Sequence, residues 1–250
     1  MFCIWNKKKN VAYNKVCRRF FLRSLQNIRK QSVLRLGKAV LFLFVAGVLF
    51  YAQFLSGVQS VDVTKNFYFL VLDSTHIEVS THQTQTLGGA GFLLNENRQD
   101  YVALSVYLKS DEGERVLDSV LQTAKNAKLV TIKSGNLYFK TLFDKQKADF
   151  YVGAFDTLYS LIEVLNNEIS RLDKGATQES SKRILGIYQK QFTYLQKKYQ
   201  EGFSAFSSVC GRASKELFKI MDGIVYAKDL RYLLCELCVA YTDLSKEFSL

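Results

Sequence analysis

Four groups of residues have the types and spacing from which chemistry could be built. The first is LGGAGFLL, Leu87 to Leu94, with three glycines in four positions ahead of an apolar run. Glycine clusters cradle phosphate when they follow a strand and open a helix, because the free N–H groups of the helix start then face the anion. Here the order is reversed. A polar segment from Ser74 to Leu87, with Ser74 or Thr75 as N-cap, precedes the glycines. A helix ending there presents carbonyl oxygens, which repel phosphate. Gly88 is therefore expected as a helix C-cap leading into a strand from Gly91 to Leu94.

The second group, His76 and His82, stands six residues apart. Helical zinc motifs use spacings of three or four, so two solvated histidines and no metal are expected. The third is CELC, Cys235 to Cys238, spaced as in redox and metal motifs. Thioredoxin-like chemistry expects this spacing beside a βαβ unit, whereas LLCELCVAY lies inside an apolar helix. Core filling is the leading expectation for both cysteines; a disulfide involving Cys210 and a redox pair are the alternatives. In the fourth group, Asp111 and Glu112 open a helix, where carboxylates favour the dipole. No serine, histidine and aspartate set stands in a nucleophile context. The expectation is a protein with no catalytic residues, no metal and no cofactor.

The elements around these residues follow from periodicity. Asn66 to Leu72 (NFYFLVL) and Tyr101 to Leu108 (YVALSVYL) are aromatic and β-branched runs, hence strands. NENRQD, Asn95 to Asp100, is a hairpin turn by composition. Ser110 is placed to cap a helix from Asp111 to about Lys125, and KLVTIK, Lys128 to Lys133, is a fourth strand. The order is βαββαβ in two similar halves, a split repeat that forms a four-stranded antiparallel sheet with both helices on one face. From Ala148 onward apolar residues recur at spacings of three and four. Three helices are expected: Ala148 to Leu172, Gln178 to Gln200 and Cys210 to Phe248, packed as a bundle or wrapped onto the sheet.

Ahead of all this, the 250-residue chain carries its charge in one place. Its net charge is +11, and residues 1–38 hold eleven Lys or Arg and no acid. The 23 bases that remain balance the 23 acids. Ala39 to Val61 is uncharged over 23 residues, more than the ~20 that cross a hydrocarbon core as a helix. A membrane helix with a cytoplasmic amino terminus and an extracytoplasmic remainder is expected; a cleaved signal peptide, with its shorter apolar stretch, is the competing reading. The tail is read as topogenic charge touching anionic lipid, with a nucleic-acid-binding arm as the lesser alternative. The expected segments are 1–38 tail, 39–61 membrane helix, 62–135 sheet domain and 136–250 helical region.

Tyr101 to Leu121, YVALSVYLKSDEGERVLDSVL, resembles the repeat of bacterial SPOR-domain (sporulation-related) proteins. Tyr101, Val102, Tyr107, Ser110, Glu112, Val116 and Leu121 stand where that family has its aromatic, strand, cap and helix-face residues. FYFLVLDSTHIEVSTHQTQTLGGAGFLL matches in order and length, and the resemblance covers about residues 65–135. It implies a ferredoxin-like βαββαβ domain beyond the membrane helix; with the C-terminal helical bundle from about residue 140, which lies outside the resemblance, the expected fold class is α+β. It also implies binding of peptidoglycan glycan strands on the helix-free sheet face, at division or sporulation sites of the cell envelope. Tyr68, Leu70, Tyr101, Ala103 and Ser105 are the glycan-binding candidates so implied. The family's frequent Gln and Gly in the first strand are Leu70 and Leu72 here. Since an apolar sheet face does not stay exposed, the second expectation is an interaction protein whose sheet face and helices dock a protein partner or a second copy.

Overall fold

The residues between Val58 and Phe248 that alternate or recur with helical period form six strands and six helices. The computed structural model describes residues 58–73, 77–140 and 145–248. In chain order the elements are β1 (Val58–Val61), β2 (Asn66–Asp73), α1 (Ile77–Thr86), β3 (Phe92–Glu96), β4 (Gln99–Tyr107), α2 (Ser110–Leu121), β5 (Ala127–Lys133), β6 (Leu137–Lys140), α3 (Lys145–Asp173), α4 (Gln178–Lys198), α5 (Ser204–Asp222) and α6 (Ala227–Lys246). Residues Gln59–Leu250 make one compact unit.

Four strands form an antiparallel sheet in the order β3-β4-β2-β5, while β1 and β6 form a two-stranded sheet of their own. The β3–β4 hairpin turns at Asn97 and Arg98, both at positive φ (54° and 64°), the twist that matches right-handed strands. Register slips by one between Leu70 and Val71, which pair with Ser105 and Ala103 and leave Leu104 as the extra residue of β4. Such a bulge lets both Leu104 and Ser105 serve the same side of the sheet.

The period of two in β2 divides its side chains between two cores. Leu70 and Leu72 point with Leu104 toward Leu87, Leu117 and Val120, under α1 and α2. Gly113 lets α2 come close, since a Cβ there would lie 3.2 Å from Leu129. Phe67, Phe69 and Val71 point the other way, into a larger core with Ala103, Phe155, Leu158, Leu234 and Tyr241. On that side α6 lies across β4 and β3, with α3 packed beside it. Tyr241 is the pin. Its ring meets Phe67 (5.6 Å) and Phe155 (5.1 Å) edge to face, and its hydroxyl donates to the Val63 carbonyl at 2.9 Å.

The expected architecture is corrected in four respects. A membrane helix over residues 39–61 does not hold at its end, because Val58–Val61 is a strand that takes its backbone partners from β6. Residues 39–57 lie outside the described residues, and among the described residues no helix is long and apolar enough to cross a membrane. The single long helix from Cys210 to Phe248 is two helices, α5 and α6. The break comes where Val225 turns inward: the Gln178 side chain donates to its carbonyl (2.9 Å) and accepts from its N–H (2.8 Å). The helical region is not a separate bundle but closes the second sheet face. The N-cap of α2 is Lys109 rather than Ser110, whose hydroxyl donates to Glu114 at 2.8 Å instead. The proposed caps Ser74 and Thr75, and His76, lie outside the described residues.

Because Phe67 joins sheet and helices in one core, Phe67→Ala is expected to cost about 3–5 kcal/mol. Urea unfolding followed at once by far-UV and near-UV signals should keep a single transition with a lower midpoint. Separate sheet and helix transitions would contradict the shared core.

Candidate functional site

The glycine stretch acts at a junction. After α1, Gly88 and Gly91 adopt φ of +74° and +66°, a region glycine enters without a Cβ penalty. Gly89 is held by proximity: a Cβ there would lie 2.8 Å from Thr84 and 2.9 Å from the Leu104 backbone. The exposed carbonyl of this helix end attracts a cation, as a helix C-terminus does. Arg231, at the start of α6, donates to Gly88 O at 2.9 Å and to Asp173 Oδ2 at 2.6 Å. Three distant segments, residues 88, 173 and 231, are thereby tied together.

Beside this knot opens a cleft of about 600 Å³. Its floor is Ser105 and Tyr107 of β4; Glu112, Arg115 and Ser119 of α2 form one wall, and Asn166, Asn167, Ser170 and Asp173 of α3 the other. Arg231 and Lys174 close one end. The Arg115 side chain donates to the Asp111 carbonyl (3.1 Å) and so holds its place in the wall. Burial pushes the Tyr107 hydroxyl above its ordinary value, an effect that the Arg231 charge partly opposes. The cleft offers hydroxyls, amides and guanidinium groups, with Arg231 held by Gly88 and Asp173, which suits a ligand rich in hydrogen-bonding groups. Among the described residues no cluster of His, Cys, Asp and Glu could hold a metal ion.

The residues implied by the family resemblance do not share a face. Leu70 (1% exposed) and Ser105 (6%) pair across β2 and β4 on the α1–α2 side, and half-buried Tyr68 follows the same alternation. Tyr101 (8%) and Ala103 (0%) lie on the opposite side, in the core closed by α3 and α6. Only Ser105 lines the cleft. Arg231, Asp173, Asn166 and Asn167 were not legible as site residues. Each is an ordinary polar position on an amphipathic helix, and only packing brings them near β4.

Cys210, Cys235 and Cys238 are free thiols, all buried. Burial raises the thiol pKa of all three, that of Cys210 from 9.0 to about 12. Deprotonated thiolate, the reactive form, is therefore suppressed, which agrees with core filling and leaves no disulfide among them.

No family model, no curated protein and no solved structure matches this chain.

Two outcomes are expected. Gly89→Ala should destabilise the fold by about 1–3 kcal/mol, since backbone rather than a flexible side chain blocks the added methyl; an unchanged urea midpoint would contradict that packing. For the thiols, folded and unfolded chains both keep the proton below pH 9, so stability is intact there. Between pH 9 and about 12 the unfolded chain releases the Cys210 proton first, so stability falls as pH rises. Urea midpoints measured across this window, for the native chain against Cys210→Ala, should show a steeper loss in the native chain.

Proposed function

We propose that this chain is a non-enzymatic interaction protein in which the sheet and the C-terminal helices act together as one docking body. One observation carries the reading: the sheet face opposite α1 and α2 is filled by the chain's own α3 and α6, with Phe67, Phe69 and Ala103 fully buried. A glycan strand laid on that face would have to displace a core. The residues free to meet a partner are instead on the helices, where Ile187, Tyr194, Phe218 and Tyr232 are exposed. The eleven bases of residues 1–38 support a position against anionic lipid headgroups at a bacterial envelope.

A second reading keeps peptidoglycan as the ligand but moves it to the cleft over Ser105. The asparagines, serines and Tyr107 around that cleft favour it, because hydroxyls and amides match a sugar's hydrogen-bonding groups.

A pair of measurements separates the two. Full-length protein should not sediment with amidase-treated cell-wall sacculi, and a photo-crosslinking residue at Tyr194 should give protein adducts in cells. Retention on sacculi that Asn167→Ala abolishes would replace the first reading with the second.

A further inference from the structure

The hairpin formed by α3 and α4 carries charge in two columns. The helices run antiparallel. The rings of Phe150 and Tyr199 meet at 4.5 Å, tilted by 47°, at one end, and Arg171 donates to Ser180 at 2.9 Å near the turn. On α3, Asp149, Asp156 and Glu163 are exposed and recur every seven residues; on α4, Arg183, Lys190 and Lys197 do the same. Seven residues are almost two turns, so each set forms a column on one helix face, about 21 Å long over fourteen residues. Among the described residues none of these six makes an ion pair within 4.0 Å.

The residues between the charges differ in size as well. On α4 the basic column is interrupted by Ile187 (54% exposed) and Tyr194 (62%). On α3 the acidic column is interrupted by small side chains at the same steps, Gly153, Ser160 and Asn167. Between the helices runs a groove of about 500 Å³ floored by Leu161, Val164, Tyr188 and Leu195. Ile187 and Tyr194, seven residues apart on one helix face, continue the apolar lining of this groove outward instead of standing as isolated exposed residues.

We infer that this face binds a second copy of the chain, α3 of each copy lying antiparallel against α4 of the other. The inference rests on the interaction reading and names its first partner. Charge complementarity selects the symmetry. Counted at 100° per residue, both columns face the same side of the hairpin, acid on one helix and base on the other. A twofold axis parallel to the helices sets acid over base, whereas an axis across them sets like over like. With residue 150 opposite 199 and 171 near 180, Asp156 and Glu163 stand within one turn of Lys197 and Lys190. The offset is about 4.5 Å along the axis, which lysine side chains span. In this register Tyr194 and Ile187 of one copy stand level with Asp156 and Glu163 of the other, and leaning like the lysines toward the start of α4 they enter the gaps over Ser160 and Asn167. The contact is isologous, as expected for a closed dimer. Its area, on the order of 1,000 Å², falls at the low end of specific interfaces, so the dimer is reversible and salt-sensitive.

The test uses the full chain in non-ionic detergent, with sedimentation velocity as the readout. The native chain should dimerise with rising concentration. Dissociation should strengthen at least tenfold between about 0.1 M and about 1 M salt, where screening shortens from about 10 Å to about 3 Å. One variant, Asp156→Lys with Glu163→Lys, has a basic face with Asp149 as its remaining acid; another, Lys190→Glu with Lys197→Glu, has an acidic face with Arg183 as its remaining base. Each alone should be monomeric, and an equimolar mixture should form a heterodimer, which also shows that both are folded. A native chain that stays monomeric, or association that neither reversal alters, overturns the proposal. Should a Tyr194 crosslink then capture a different protein, the dimer falls and the interaction reading stands; no protein adduct at all removes both.

Discussion

Tyr241 stands where three layers meet, with Phe67 of the sheet on one edge, Phe155 of α3 on another and the Val63 carbonyl at its hydroxyl. A buried phenol needs a hydrogen-bond partner, because an unpaired hydroxyl in an apolar core is costly. The Val63 carbonyl satisfies that need only when the segment between β1 and β2 lies against α6. The contact therefore couples the entry to the sheet with the last helix of the chain. Burial also lifts the Tyr241 phenol above its ordinary range, consistent with a group that stays neutral and structural.

Closing this face changes what the sheet can do. A four-stranded sheet with helices on one side has a second apolar side that must be covered. In this chain β2 supplies phenylalanine at positions 67 and 69, too large and apolar to face water, and α3 and α6 supply the cover. Any binding surface is thereby displaced from the sheet centre to its periphery. Two features remain there: the polar cleft where Arg231 ties Gly88 to Asp173, and the outer face of the α3–α4 hairpin. The first is rich in hydrogen-bonding groups. The second carries two charge columns that, among the described residues, stand outside any ion pair within 4.0 Å, with the exposed Ile187 and Tyr194 between the bases.

Local elements were legible where a short-range rule acts alone. The strand from Asn66, the turn at Asn97 and Arg98, and the positive φ of Gly88 follow from alternation, turn composition and the C-cap rule, all of which work within a few residues. Glycine at position 89 was legible only as part of a cluster. Its need for a missing Cβ comes from Leu104, fifteen residues on. The break between α5 and α6 follows Gly223, a local mark that the continuing periodicity overrode, and Gln178 of another helix holds Val225 just beyond it. Tyr101 and Ala103 do not share a face with Ser105 on β4, because the bulge at Leu104 shifts the alternation there and leaves no mark in composition.

The sequence by itself determined the types of most elements, the concentration of charge in residues 1–38, the inert setting of CELC and the role of LGGAG as a helix end. Those outcomes depend on neighbours along the chain, on net composition or on helical period. Tertiary structure alone decided that both sheet faces are covered, that β1 rather than a helix occupies Val58–Val61, and that Arg231 meets Gly88. Each of these joins residues far apart in the chain, through burial and backbone pairing whose partners no local pattern specifies.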